Sequence, residues 1–270
     1  DYLNAANIPS PPATWEELID QVRILTKLSS VGGIQRSAIA LGTAANVDYA
    51  ADILAALIYQ SGGAFVNPAG TAGALEDSPA ASALSFYTAF ANSTKKIYTW
   101  NAFFESSLGA FAKGDTAMAI GYATDVPLIA LENPQLNFDV APLPQARAAK
   151  TPVTLGRLRL AAVPRTSIQE EQAWRFLLWL QSKDIQKTYA DAVGLPSARR
   201  DLVNSKPPRD YLAPFYAQVL TAKTLPVVLG APLQSALDAM IQAVANGRLS
   251  VEQAVNRAQA EIAALLRPQP

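Results

Sequence analysis

The chain has 270 residues, half of them hydrophobic, with 22 Lys+Arg balanced by 22 Asp+Glu and with no histidine or cysteine. Its length permits one large or two ordinary domains, and its balanced charge offers no footprint for nucleic acid or an anionic membrane surface. Lacking His and Cys, it has no disulfides, no thiol nucleophile, no Ser–His–Asp triad and none of the commonest metal ligand. No apolar run is long enough to span a bilayer, and the absence of a leader ahead of Asp1 is read as that of a mature or trimmed chain.

In chain order, Thr14 with Glu17 predicts a capping box, and Trp15, Leu18, Ile19, Val22 and Leu25 share one face of the helix that follows. Ala38–Gly42 is expected as a short buried strand ending in a polar loop from Thr43 to Asp48, with Asp48 capping a helix that points Ile53, Leu54, Leu57 and Ile58 inward. Gly62-Gly63 ends that helix, and a loop to Gly73 leads to another from Ser78, bearing Leu84, Phe86, Tyr87 and Phe90. Asn101 is expected to cap a helix with Phe104, Leu108 and Phe111 on its face.

The best-punctuated stretch is Phe111–Pro144. Gly114 suits the left-handed position that closes a helix. Ala117–Ile120 reads as a strand buried on both faces. A turn at Gly121 and Tyr122 precedes a helix capped by Asp125 and stopped at Asn133-Pro134. Phe138–Ala141 reads as a second strand, which Pro142 and Pro144 force out of its sheet.

Beyond it, 145–151 is a polar connector, and Leu155–Val163 is expected as a strand with Arg157 and Arg159 on one side. Ser167 and Glu170 predict a second capping box, opening a helix whose Trp174 and Trp179 belong to the core. Helices near 211–223, 233–245 and 251–266 follow, the last opened by a capping box of Ser250 and Gln253. Strands alternating with helices predict an α/β fold with sheets covered on both faces.

The chemistry narrows from there. No phosphate-binding or dinucleotide glycine motif is present, no calcium-spaced acidic loop appears, and no cofactor or metal is implied. A glycoside hydrolase needs two carboxylates across a cleft, and Asp48, Asp52 and Asp125 are the nominees, although Asp48 and Asp125 already serve as helix caps in this reading. Ligand binding needs less: polar groups and aromatic faces at the ends of elements. Candidates are Asn46 and Asp48 after the first strand, Trp100 and Asn101 before a helix, Tyr122 and Asp125 after Ile120, and Gly156 with Arg157 beyond the crossover. Taken singly, Trp100 reads as core more than ligand platform. Two arginines on one face of a buried strand call for a partner, either protein carboxylates or an anionic or hydroxylated ligand.

The order F-x-x-G-x-x-A-M-x-I-G from Phe111, a short helix, then N-P-x-L-N-F and A-P-L-P resembles family 1 of the extracellular solute-binding proteins of ABC importers, the group that includes maltose-binding proteins. Ile8-Pro9-Ser10-Pro11-Pro12-Ala13-Thr14-Trp15-Glu16-Glu17-Leu18, Gly194–Arg199 and Gly247-Arg248 are similar to further motifs of that family. The resemblance implies a type II periplasmic-binding-protein-like fold: a helix-rich second lobe and a partial first lobe joined by hinge crossovers. Residues 1–141 and 201–270 would build the second lobe, and 142–200 the part of the first lobe after the crossover, with the hinge at Ala141, Pro142, Leu143 and Pro144. It implies a first-lobe segment of about 100 residues, a small domain's worth, ahead of the Ile8 motif.

The implied function is non-enzymatic: an exported protein, periplasmic or lipid-anchored at the cell surface, that captures a small solute between its lobes and delivers it to ABC permease subunits. A saccharide is the implied solute, and Tyr122, Asp125, Gly156 and Arg157 are the positions that carry the family's ligand contacts. The sequence departs from sugar-binding members where Ala123, Thr124 and Gln234 replace bulky stacking residues. A carboxylate-dependent hydrolase and a shortened adaptor module without ligand are the alternatives.

Overall fold

The computed structural model describes residues 1–75, 77–147, 149 and 151–267; the predicted connector 145–151 lies partly outside them. After a short helix α1 (Tyr2–Ala5), α2 (Trp15–Leu25) begins where Thr14 Oγ1 accepts from the Glu17 N–H at 3.2 Å, capping one of the helix's unpaired donors. The Glu17 carboxylate accepts from the Ala13 N–H at 2.8 Å, one residue short of the expected reciprocal box. The apolar face read from the sequence is the buried one, with Trp15, Leu18, Val22 and Leu25 all in the core.

α2 packs on a three-stranded sheet in the order β1 (Lys27–Leu28), β2 (Ile34–Ile39), β3 (Thr116–Met118). β1 runs antiparallel to β2, and β3 runs parallel to it, with Ser37 opposite Thr116 and Ile39 opposite Met118. The strand expected at Ala38–Gly42 thus starts earlier, and only its first two residues lie in the ladder. β3 is shorter than the predicted Ala117–Ile120 and is buried only at Thr116. Beyond Met118 the chain turns into a cavity and has no neighbouring strand to pair with.

Between β2 and β3 come α3 (Ala50–Gln60), α4 (Asp77–Ala89) and α5 (Ser107–Lys113). α3 is buried along its whole length, as a helix apolar on every side must be. α5 ends at Gly114, whose φ of 83° is the left-handed closing conformation foreseen for it. α6 (Asp125–Glu132) follows β3 and stops at Asn133. Residues 138–141, expected as a strand, form none: they line the cavity with no ladder partner.

The second half has β4 (Thr154–Leu155), α7 (Glu170–Leu180), α8 (Lys183–Val193), α9 (Ala213–Gln218), β5 (Ala222–Lys223), α10 (Gly230–Ala245) and α11 (Val251–Leu265). β4 and β5 pair in parallel, Thr154 opposite Ala222. The strand predicted to reach Val163 therefore ends at Leu155, because β5 offers only two residues to pair with. α10 and α11 pack back onto α3 and α4, so Leu237, Met240, Ile241, Val255 and Ile262 share one core with Leu18, Leu54, Tyr87 and Trp100. The Ser250–Gln253 capping box of α11 is complete. That of α7 is not: Gln169 is its N-cap, and Ser167 only accepts from the Gln169 N–H.

α7 overturns a second expectation. Its apolar spacing predicts core residues, yet no residue of the helix is buried; Trp174 and Trp179 are 49% and 54% exposed, beside Phe176 and Leu178. Amphipathic spacing requires a covering surface, and among the described residues α7 meets little besides α8.

The crossover points are tied by one buried side chain at the end of α3. Gln60 accepts from Trp15 Nε1 at 2.6 Å and donates to the carbonyls of Pro144 and Val153 at 3.1 and 3.0 Å. Gln145 adds a rung, its Oε1 accepting from the Val153 N–H at 2.8 Å. The three backbone groups flanking the connector are thereby satisfied by side chains.

Candidate functional site

A cavity of about 2120 Å³ opens between β3, α6, the 138–144 segment, β4 and α8. The most densely bonded part of its wall is built from the first turn of α3, the turn after β3 and the residues following β4. Asp52 stands in the first turn of α3, where the helix dipole favours a carboxylate, and is 3% exposed. Its Oδ2 accepts from Tyr122 Oη at 2.7 Å and from Arg157 Nε at 2.8 Å, with Arg157 Nη2 in ion-pair contact at 2.7 Å, and its Oδ1 accepts from Gln234 Nε2 at 3.3 Å.

A second carboxylate lies beside it. Asp125 is buried, and its Oδ2 accepts from the Tyr122 N–H at 2.6 Å while its Oδ1 accepts from Tyr49 Oη at 2.9 Å. Gly121 is required here: a Cβ on it would come within 2.8 Å of the Asp125 carboxylate. Tyr49 holds a left-handed backbone, φ 61°, at the N-cap of α3. That conformation costs a bulky residue on the order of 1 kcal/mol or more, offset here by the bond to Asp125 and by edge-to-face packing on Tyr122 with centroids 4.8 Å apart. Arg157 lies over both rings, 5.1 Å from the Tyr49 centroid and 5.2 Å from that of Tyr122.

The electrostatics follow from this packing. Burial and then the Asp125 hydrogen bond push the Tyr49 phenol up to about 12, and burial followed by Asp52 raises Tyr122 further still. Both phenols stay protonated at any physiological pH and act as fixed donors. Burial opposes the Arg157 charge, but Asp52 outweighs it and the guanidinium is held more firmly protonated. On α10, burial and then Asp52 raise the Asp238 carboxyl.

Of the residues nominated from sequence, Tyr122, Asp125, Gly156 and Arg157 line this cavity, as do Ala141, Pro142, Leu143 and Pro144. Four others lie away from it, with their polar groups already used. Asn46 accepts from Thr43 Oγ1 and from Trp100 Nε1, and donates to the carbonyls of Asn101 and Phe104. Trp100 is fully buried and stacked on Phe104 at 4.4 Å. Asn101 caps no helix; its Oδ1 accepts from the Phe103 N–H, and Ser106 caps α5 instead. Asp48 caps α5 rather than α3, accepting from Ser107 Oγ and the Leu108 N–H at 3.0 Å each. Asp125 sits one residue inside α6, where Thr124 is the N-cap and makes no side-chain bond.

Asp52, Tyr49 and Gln234 escaped the sequence-level binding list. A usable signal for Asp52 existed: it is the one charge in the apolar run from Ala50 to Gln60, and such a residue survives burial only with partners. Tyr49 and Gln234 carry no comparable signal. Among the described residues no group of three His, Cys, Asp or Glu is placed to hold a metal, and no helix is long and apolar enough to cross a membrane.

Residues 1–214 match the family of bacterial extracellular solute-binding proteins. This chain belongs to that family. Solved structures agree on the fold, which is the type II periplasmic-binding-protein fold. An ABC transporter solute-binding protein from Thermotoga lettingae, bound with alpha-D-tagatose, is 21% identical with a TM-score of 0.72, the match covering 98% of this chain and 68% of that one. The cyclic alpha-maltosyl-1,6-maltose binding protein of Arthrobacter globiformis gives 20%, 0.73 and the same coverages. The sugar-binding protein MalE of Xanthomonas citri gives 17% and 0.75, covering 98% of this chain and 66% of its own. No curated protein matches the sequence. This solute-binding chain thus spans about two thirds of the length of the solved relatives it resembles.

Proposed function

We propose that this extracellular solute-binding protein captures a carbohydrate in the cavity bordered by Tyr122, Asp125 and Arg157 and delivers it to an ABC permease. The observation that carries the reading is this cluster: fixed phenol and guanidinium donors beside two buried carboxylates, on the wall of a cavity large enough for an oligosaccharide. The solved relatives bound with tagatose, maltotriose and mannobiose support a sugar as the solute class.

In this reading residues 1–141 and 201–270 form the second lobe, 142–200 belong to the first, and closure bends the chain at Ala141–Pro144. The Gln60 clamp on Pro144 and Val153 supports that division, since it anchors the chain on either side of the connector. The protein performs no covalent chemistry. Asp48, Asp52 and Asp125, nominated for a hydrolase, each accept hydrogen bonds from protein donors, which favours structural and binding roles for them.

Calorimetry against neutral oligosaccharides, polyols and sugar phosphates, with small-angle scattering to follow closure, tests the proposal. Saturable binding of a saccharide with a fall in radius of gyration is the expected result. Binding by none of them, with no compaction, would sink it.

A further inference from the structure

Building on the sugar-binding reading, we infer that Asp52 is the positioning residue of this site. It presets Arg157 and Tyr122 so that the outer edge of the Arg157 guanidinium receives a pair of uncharged ligand hydroxyls in preference to an anionic group.

The hydrogen-bond inventory leads there. Asp52 accepts three hydrogen bonds from protein groups and stands in ion-pair contact with Arg157 Nη2, and its side chain is 4% exposed. A carboxylate offers about four lone-pair sites, so most of the accepting capacity of Asp52 is committed to the protein rather than to a ligand. Arg157 is the opposite case. Its side chain is 52% exposed on the cavity wall, and it gives Asp52 its Nε and Nη2 edge. A guanidinium carries five N–H donors in a fixed plane, so the Nη1 side is left toward the cavity. The rings of Tyr49 and Tyr122 hold that plane. Asp52 sits on the rigid, fully buried α3, while Arg157 lies just past the two-residue strand β4, where the backbone alone fixes little. The two rings set the plane of the guanidinium, and the carboxylate sets which edge turns inward.

Preference for a neutral ligand follows from the charge balance. Asp52 and Asp125 set two carboxylates beside Arg157, with Asp238 near enough to feel Asp52. An anionic ligand group arriving at Arg157 would meet a cation already matched and a second carboxylate unmatched, whereas hydroxyl oxygens need only the N–H donors. Arg159, Arg199 and Arg200 also line the cavity, as do Asp1 and Asp139, so the preference is a local one set at Arg157 by its neighbouring carboxylates.

The experiment has a ligand-free and a ligand-bound arm. In the free protein, the ¹⁵N-detected Arg157 Nε–H should be a sharp, slowly exchanging resonance that D52N broadens or loses. In calorimetry, maltotriose or mannobiose should bind at least roughly tenfold tighter than digalacturonate or glucose 1-phosphate. D52N should weaken neutral-sugar binding by roughly tenfold or more, the scale of a hydrogen bond to a charged group, and should cost almost nothing further in an R157A background. R157K keeps the charge at an exposed position, so it should fold normally yet lose affinity to a similar degree. An unchanged Nε–H signal in D52N, full affinity in D52N or R157K, additive losses in the double variant, or tighter binding of the acidic sugars would each overturn the inference. If the wild type binds no sugar while the Nε–H signal behaves as expected, the sugar-binding reading falls and Asp52 is left a structural ion-pair partner.

Discussion

At the scale of single residues, the cavity wall is governed by buried carboxylates and the donors that satisfy them. Behind that wall, the half-buried Asp238 of α10 is less well balanced, since burial and then the nearby Asp52 raise its carboxyl above the ordinary range. The folded chain then holds that proton more tightly than the unfolded chain does. Stability contributed by protonated Asp238 is present at low pH and is lost as pH climbs from the ordinary carboxylate value through the raised one. D238N should therefore melt higher than the wild type at pH 7, with the difference vanishing below about pH 4, where an ordinary carboxyl is also protonated; thermal melts of both proteins across that range test it. Y122F leaves Asp52 short of one donor and should cost about 1 kcal/mol or more in urea unfolding.

At the scale of elements, caps and apolar faces account for most boundaries. The complete box at Ser250 predicts that S250A destabilises α11 by about 1 kcal/mol, measurable as a lower midpoint in chemical denaturation. Trp100, buried and stacked on Phe104, should cost about 3–5 kcal/mol as W100A without touching the cavity. Helices were legible because a 3.6-residue period spans many positions, as in α2 and α11. Strands were not, because β3, β4 and β5 are two or three residues long, and their ends depend on whether a neighbouring strand is present to pair. The four nominated residues that lie away from the cavity share a feature: Asn46, Asp48, Trp100 and Asn101 are polar or aromatic at loop positions, and only the folded chain shows that their partners are one another and the start of α5.

At the scale of the molecule, one core joins α2–α4 to α10 and α11, while α7 carries its tryptophans outside it. Trp174, Phe176, Leu178 and Trp179 are exposed together on α7, and Leu158 and Leu160 are exposed earlier in the chain; contiguous apolar surface of this kind is what marks an interaction site. The chain should bind an environment-sensitive apolar dye such as ANS, and W174Q combined with W179Q should lower that binding while the melting temperature of the main core stays within about 2 °C, since surface substitutions away from packed contacts seldom matter.

What the sequence determined by itself was periodicity, punctuation and exclusion. Gly114 closing α5, the inward faces of α2 and α3 and the absence of His and Cys chemistry all rest on local residue types or short spacings, and the placing of Tyr122, Asp125 and Arg157 on the cavity wall followed from the family resemblance. The partnership of Asp52 with Arg157 was left to the tertiary structure. Those residues stand 105 positions apart, and nothing in either neighbourhood encodes the other. Only packing α3 beside the end of β4 brings the buried carboxylate to the arginine, and the cost of leaving that charge unpaired is the physical reason the contact forms.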